Sequence, residues 1–404
     1  MSVKVILDGS LLSECERMGA NRYGMLRLAE SITKELIDNE ALDISFANTF
    51  YTGNYDELLK TYIAANYPSY SAKILSETPL FQTKIPKLRG LLRRIAERAK
   101  FQTTVRALEE NDLFHSFYYA IPPNIENSKI KKSLTYLDII ALKIPGYDSV
   151  LIDLTKKIVE SIALNYAISI SEFSKQDLLD YDTRIAPERV FVSPPAASEE
   201  LFFQNKNVEA RKIVKAKYNL PDNYFLSISS RDRRKNVPHL VKSFAKYVLQ
   251  EKPDDLFLVL SGNFNYSYAL LDELKIEKSV KDRILITETH IEDEDLSVIY
   301  SNSICFFFMS YYEGFGLPAL EAMQCGTPVV TADTTSLPEV VGEAGIMLNP
   351  HDEDALCDAM RKIYADENLR KTYSHLGLER AKEFSWRRCG SEYAEIFKVI
   401  TSSF

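Results

Sequence analysis

Two carboxylates mark the stretch SYYEGFGLPALEAMQCGTPVVTAD, Ser310 to Asp333. Glu313 stands just before the turn GFGLP, Gly314 to Pro318, and Glu321 lies further on in an apolar, helix-like run that leads into a strand pattern. Glycine lets a backbone approach a ligand closely, and a helix N-terminus offers unsatisfied N–H groups that favour an anion. Pro318 suits the first helical turn. A carboxylate accepts hydrogen bonds from two neighbouring hydroxyls, as on a ribose. Together these features suit a ligand carrying both phosphate and hydroxyls. The spacing fits a plainer arrangement equally well, with Glu313 capping the helix and Glu321 at the surface.

A second group lies in SISSRDRRKNVPHL, where Arg231, Arg233, Arg234 and Lys235 fall between a strand pattern and a helix pattern. Such a cluster places positive charge where a polyanion would sit, and arginine grips phosphate through two parallel bonds. A solvated basic turn is the alternative. A third, weaker feature is MGANRYGM, in which Gly19 and Ala20 form a small-residue turn entering a helix. Their backbone could approach a phosphate.

The elements that must carry these residues are legible as alternating strand and helix patterns, the mark of βα units around parallel sheets. Strand candidates in the first half are VKVILDGS, LDISFAN, DLFHSFY, SLTYLDII, NYAISIS and RVFVSPPA. In the second half they are YFLSISS, LFLVLSG, RILIT, ICFFFMS, PVVTAD and GIMLNP. Proline and charge between the two series read as a linker, so a domain boundary is expected near residue 200. The expected fold is α/β, two doubly wound, Rossmann-like domains facing each other across a cleft. Ligands in such sheets bind beyond the carboxyl ends of the strands.

Bulk properties narrow the function. A chain of 404 residues with 46% hydrophobic content can bury two cores. Its net charge of -8 argues against a nucleic-acid binder. Five scattered cysteines without a CxxC pair read as reduced core residues of a cytosolic protein. The N-terminus reads as a first strand rather than a signal peptide, and no window approaches the length of a membrane-spanning helix. One segment departs from the acidic average. KIPKLRGLLRRIAERAK, residues 84–100, reads as a basic amphipathic helix, either docking on an anionic bilayer or packed on its own domain.

EGFGLPALEAMQCGTPVVTAD, with LSVIYSNSICFFFMSYY before it and SLPEVVGEAGIMLNPHDEDAL after it, strongly resembles the Glu-x7-Glu region of retaining glycosyltransferases of the GT-B architecture, family four. The resemblance implies that Glu313 faces the donor sugar and Glu321 binds the donor ribose. The backbone of Gly314, Phe315, Gly316 and Leu317 would cradle sugar and phosphate. SISSRDRRKN resembles the family's phosphate loop, so Lys235 would meet the diphosphate with Ser229, Ser230, Arg231 and Arg234 around it, although Ser229 replaces the usual glycine. MGANRYGM resembles the loop that reaches donor diphosphate and acceptor. SLTYLDIIALKIP resembles a segment whose histidine lies near the transferred sugar. Here Leu137 takes the histidine position, while Asp138 matches the family aspartate and joins the catalytic candidates. His115 reads as structural. FSWRR resembles the family's C-terminal segment, where Trp386 would anchor a last helix that crosses back to the first domain. The resulting domains are 1–200, 201–385 and 386–404.

The activity implied is metal-independent transfer of a hexose, with retention, from a nucleotide sugar (UDP favoured over GDP) to a glycan or lipid-linked acceptor in polysaccharide biosynthesis. The setting would be the cytoplasm or the inner face of its membrane. Asp180/Asp182, Asp293/Asp295 and Asp352/Asp354 form Asp-x-Asp pairs like those that hold manganese in the other large glycosyltransferase architecture. With 57 acidic residues such pairs arise by chance, and no metal or cofactor is expected. The alternatives are a non-catalytic nucleotide-sugar-binding homologue, suggested by Leu137, and another GT-B enzyme such as a nucleotide-sugar epimerase.

Overall fold

The computed structural model describes residues 2–18, 24–48, 55–68, 70, 73–75, 109–229, 232–262, 268–287, 289 and 291–402. Segment 84–100, Gly19, Ala20, Ser230 and Arg231 lie outside the described residues. The chain forms two compact units. The first comprises Met1–Ile170, Ser174–Pro194 and Trp386–Phe404, and the second Ser171–Phe173 and Pro195–Ser385.

The first unit holds β1 (Val3–Asp8), β2 (Leu42–Ala47), β3 (Lys73–Ile74), β4 (Leu113–Ser116), β5 (Lys131–Tyr136), β6 (Tyr166–Ser169) and β7 (Val190–Val192). They form a parallel sheet in the order β3-β2-β1-β4-β5-β6-β7. Apart from β3, each overlaps a strand candidate read in the sequence. β3 is a two-residue edge strand, too short to leave a periodic pattern. Phe114, Leu134, Ile158, Ile162 and Ala167 are among the residues of a core between sheet and helices.

The closing helix Trp386–Ser402 belongs to this first unit. Trp386 only begins it and is half-buried, whereas Cys389, Tyr393, Phe397 and Ile400 form the buried stripe expected of a helix packed on one face. Gly390 permits close packing on the helix Gly24–Ile37, since a Cβ there would lie 2.3 Å from Glu35 Cβ. Beneath the stripe, His115 of β4 is completely buried. Its Nδ1 lies 2.8 Å from Ser133 Oγ and its Nε2 3.1 Å from Thr135 Oγ1, which in turn meets the Tyr393 hydroxyl at 2.9 Å. The rings of Phe117, Tyr393 and Phe397 enclose it. This imidazole is therefore committed to joining the sheet to the last helix.

The second unit holds β8 (Tyr224–Ile228), β9 (Phe257–Ser261), β10 (Ile284–Ile286), β11 (Cys305–Phe308), β12 (Val329–Ala332) and β13 (Ile346–Leu348). These are also parallel, in the order β10-β9-β8-β11-β12-β13. The run CFFF of β11 is buried throughout, as a parallel strand covered on both faces requires. The strand order reverses between β8 and β11. In an open parallel sheet that reversal leaves a crevice beyond the strands' carboxyl ends. The basic loop follows β8 and the Glu313 turn follows β11, so both candidate motifs lie at this switch point.

Burial pushes the pKa of His115 down to about 3, which keeps the ring neutral. In the unfolded chain the same ring gains its proton near the ordinary histidine value of 6.5. Its contribution to stability is therefore complete above pH 6.5 and is lost as pH falls from there toward 3. Urea titrations should show this group alone approaching ~1.4 kcal/mol of lost stability per pH unit in that window. His115→Asn should flatten the slope, and an unchanged slope would assign the acid sensitivity elsewhere.

Candidate active site at the β8/β11 switch point

The β8 loop tightens into a short 3-10 turn, Arg233–Lys235, because the Asp232 side chain accepts the Arg234 N–H at 3.0 Å. Asn236 then adopts φ +55°, a left-handed conformation that asparagine tolerates, and its amide bonds Pro350 O at 2.8 Å. The turn is thereby aimed at the loop after β11. Tyr311 N donates to Arg234 O at 2.8 Å, and Arg234 Nη1 donates to Tyr312 O at 2.9 Å. Glu313 closes the junction. One carboxylate oxygen lies 2.6 Å from Lys235 Nζ and the other 2.6 Å from Arg234 Nη1. Lys235 Nζ also sits 4.6 Å from the centre of the Phe308 ring, a cation–π contact.

Electrostatics follow from this packing. Burial alone would raise the Glu313 pKa, but the attraction of Lys235 and Arg234 outweighs it and holds the carboxyl at about 2. Burial pulls the Lys235 ammonium below its usual range, with Glu313 opposing the shift. Arg234 also pairs with Asp232 at 3.1 Å. Two cations and two anions thus balance within one cluster.

Beyond Glu313 the chain turns at Gly316, whose φ is +122° and where a Cβ would come within 2.7 Å of Leu337 Cδ2. The backbone demands glycine there, and a Cβ would also have to displace the Leu337 side chain. The helix Leu317–Gln324 follows with proline in its first turn, and no side chain caps its N-terminus. Glu321 lies on this helix, half-buried, and accepts the Tyr300 hydroxyl at 3.1 Å. Neither the capping role for Glu313 nor a plain surface position for Glu321 matches these contacts. At the end of β8, Ser229 is buried, and its hydroxyl lacks a partner among the described residues while its amide bonds Ser261 O. A buried orphan hydroxyl beside a basic turn suits a polar ligand.

The structure therefore gathers Glu313, Lys235, Arg234, Ser229, Gly314, Phe315, Gly316, Leu317 and Glu321 in one unit. Asp138 lies in the other, after β5, where its carboxylate accepts the Ile140 N–H at 3.0 Å and starts the short helix Ile140–Lys143. The Asp-x-Asp residues have local partners. Asp182 pairs with Arg184, Asp295 with Lys217, and Asp354 with Lys246, while Asp352 caps the helix Glu353–Ala365. Several contributors escaped the sequence reading. Asp232 shapes the basic turn, Tyr300 orients Glu321, Ser171 Oγ donates to Gly314 O at 2.7 Å, and the hydroxyl run Thr334–Ser336 bonds the backbone of the Glu313 loop. The run of three hydroxyls directly after a strand was the available signal.

Residues 209–379 match the family model for glycosyl transferases group 1. The chain has the fold of the GT-B glycosyltransferases, and its second unit carries the group 1 match. Over 293 residues, 71% of its length, the chain is 29% identical to O-antigen chain mannosyltransferase B of Escherichia coli, covering 74% of that protein. It is 30% identical over 260 residues to the serotype-specific mannosyltransferase WbdA of the same organism, of which it spans only 30%. Sucrose-phosphate synthase from Thermosynechococcus elongatus shares the fold with a TM-score of 0.67 at 18% identity, over 99% of each chain.

Glu313→Gln keeps the side chain's shape but leaves two buried cations without their shared anion. Without ligand the variant should lose ~3 kcal/mol of unfolding free energy, measured in urea. Saturating UDP or GDP should recover part of the loss by supplying a replacement anion. A variant as stable as the wild type would show that the bridge does not hold the two loops.

Proposed function

We propose that this glycosyltransferase moves a hexosyl group, with retention of configuration and without a metal ion, from a nucleoside diphosphate sugar to a sugar hydroxyl during polysaccharide assembly. The observation that carries the proposal is the buried Glu313 bridge to Lys235 and Arg234, set beside the uncapped helix Leu317–Gln324. Cations and helix N–H groups at one point suit a leaving diphosphate, and a fixed carboxylate suits the hydroxyls of a sugar. Glu321, steadied by Tyr300, would accept the ribose hydroxyls. The mannosyltransferase names of the relatives favour mannose as the hexose. UDP is favoured as carrier on general frequency, with GDP as the competitor.

The reaction breaks the bond between the anomeric carbon and the phosphate oxygen. The acceptor oxygen attacks the same face, and its proton passes to the departing phosphate. Lys235, Arg234 and the amides of the Gly314–Leu317 turn would stabilise the charge growing on the diphosphate. Preorganised electrostatics and positioning would supply most of the rate. Asp138, on the acceptor-side unit, is the proposed contact near the transferred sugar. Leu137 supports a second reading, a homologue that binds the nucleotide sugar without transferring it.

A thermal-shift screen across UDP-, GDP-, ADP- and dTDP-sugars should give stabilisation by one base class. Transfer with that donor should survive EDTA and yield a product of the donor's anomeric configuration by NMR. Tight donor binding with neither transfer nor slow hydrolysis for any acceptor would establish the binding reading instead. Glu321→Ala should weaken donor binding by about 10-fold or more, the cost of losing charge-assisted hydrogen bonds. Calorimetry giving unchanged affinity would remove Glu321 from the ribose.

A further inference from the structure

The loop after β12 carries a conformation that its residue type resists. Thr335 has φ +56°, in the left-handed region that L-residues avoid and that β-branched side chains resist most. Strain of this kind persists only where the surroundings demand it. The demand is visible in the hydrogen bonds. Thr334 Oγ1 donates to Ser310 O at 3.2 Å, Thr335 Oγ1 accepts the Glu313 N–H at 3.0 Å, and Ser336 Oγ lies 2.9 Å from Glu313 O and 2.7 Å from Phe315 O. Successive residues of an extended chain point to opposite sides, so three consecutive hydroxyls cannot meet one neighbour. The left-handed step at Thr335 breaks that alternation and turns all three toward the backbone of residues 310–315. The next residue, Leu337, fills the space where Gly316 lacks a Cβ.

We propose that Thr335 is a positioning residue for the transfer reaction, fixing the backbone of Glu313 so that its carboxylate reaches Lys235 and Arg234 together. The inference rests on the donor-site reading above. Glu313 is held at three points, its amide by Thr335, its carbonyl by Ser336 and its carboxylate by two cations. A shift of the backbone moves the carboxylate off at least one partner, and rate is lost through geometry rather than through donor contact.

The test compares Thr335→Val, Thr335→Ser and Thr335→Gly with the wild type, using UDP-glucose and GDP-mannose as donor probes. Valine keeps the β-branch and loses the hydroxyl, serine keeps the hydroxyl, and glycine relieves the strain without supplying one. Valine and glycine should lower kcat by about 10- to 100-fold while donor KM moves by less than about 3-fold, the pattern of lost alignment. Serine should restore the rate, and the glycine variant should melt no lower than the valine variant. Wild-type kcat in the glycine variant would overturn the proposal even if the valine variant failed to fold. A substrate-free readout is the ¹³C titration of the Glu313 carboxyl, which should rise from its value of about 2 in the valine and glycine variants and stay low with serine. No rise would also overturn it. A wild type that binds neither nucleotide sugar would sink the donor-site reading, while the titration still judges Thr335.

Discussion

A buried carboxylate shared by two cations is the interaction on which the second unit's functional end depends. Moving three ionised groups out of water is costly, and each is tolerable only because the others stand within 2.6 Å of Glu313. The dependence is mutual. Glu313 stays ionised in the interior because Lys235 and Arg234 are there, and these cations stay ordered because Glu313 is there. Because the three side chains come from the loops after β8 and β11, the bridge also ties together the two strands that flank the sheet's switch point.

The remaining polar groups divide the labour around that bridge. Asp232 and Asn236 shape the basic turn from one side, and Thr334, Thr335 and Ser336 brace the Glu313 loop from the other. Gly316 supplies the one backbone conformation that brings the following helix into line. The first unit spends its chemistry differently. Its His115, which might have been read as a proton carrier, is walled in by aromatic rings and bonded to two hydroxyls. The chemistry assembled in the second unit is one of fixed charges and amide donors rather than of a titrating base.

Much of the fold was legible because buried parallel strands write continuous apolar runs, and CFFF or FLVLS can hardly be anything else. The motif loops were legible too, since glycine and clustered arginine advertise unusual backbone and charge. The pairing within the site was not. Glu313 was assigned to the donor sugar and Lys235 to the diphosphate, and neither motif by itself says that the two side chains touch each other. Contacts across 78 residues leave no local trace. Thr335 was invisible for a related reason, because composition rules assign positive φ to glycine or asparagine. Trp386 drew attention through the resemblance of FSWRR, whereas Tyr393 and Phe397 on the same helix do the burying. β3 left no pattern because two residues have no period.

The return of the helix Trp386–Ser402 to the first unit bears on how the chain is made. Ribosomal synthesis proceeds from the N-terminus, so Pro195–Ser385 emerges before the helix that covers His115 and Thr135. Until then the first unit has an uncovered sheet face, with Phe117 beside a histidine whose Tyr393 and Phe397 neighbours do not yet exist. The second unit needs only three earlier residues, Ser171–Phe173, all already synthesised. The nascent chain therefore completes its later-made unit first, and exposed apolar surface on the earlier one is the period when a chaperone has most to do.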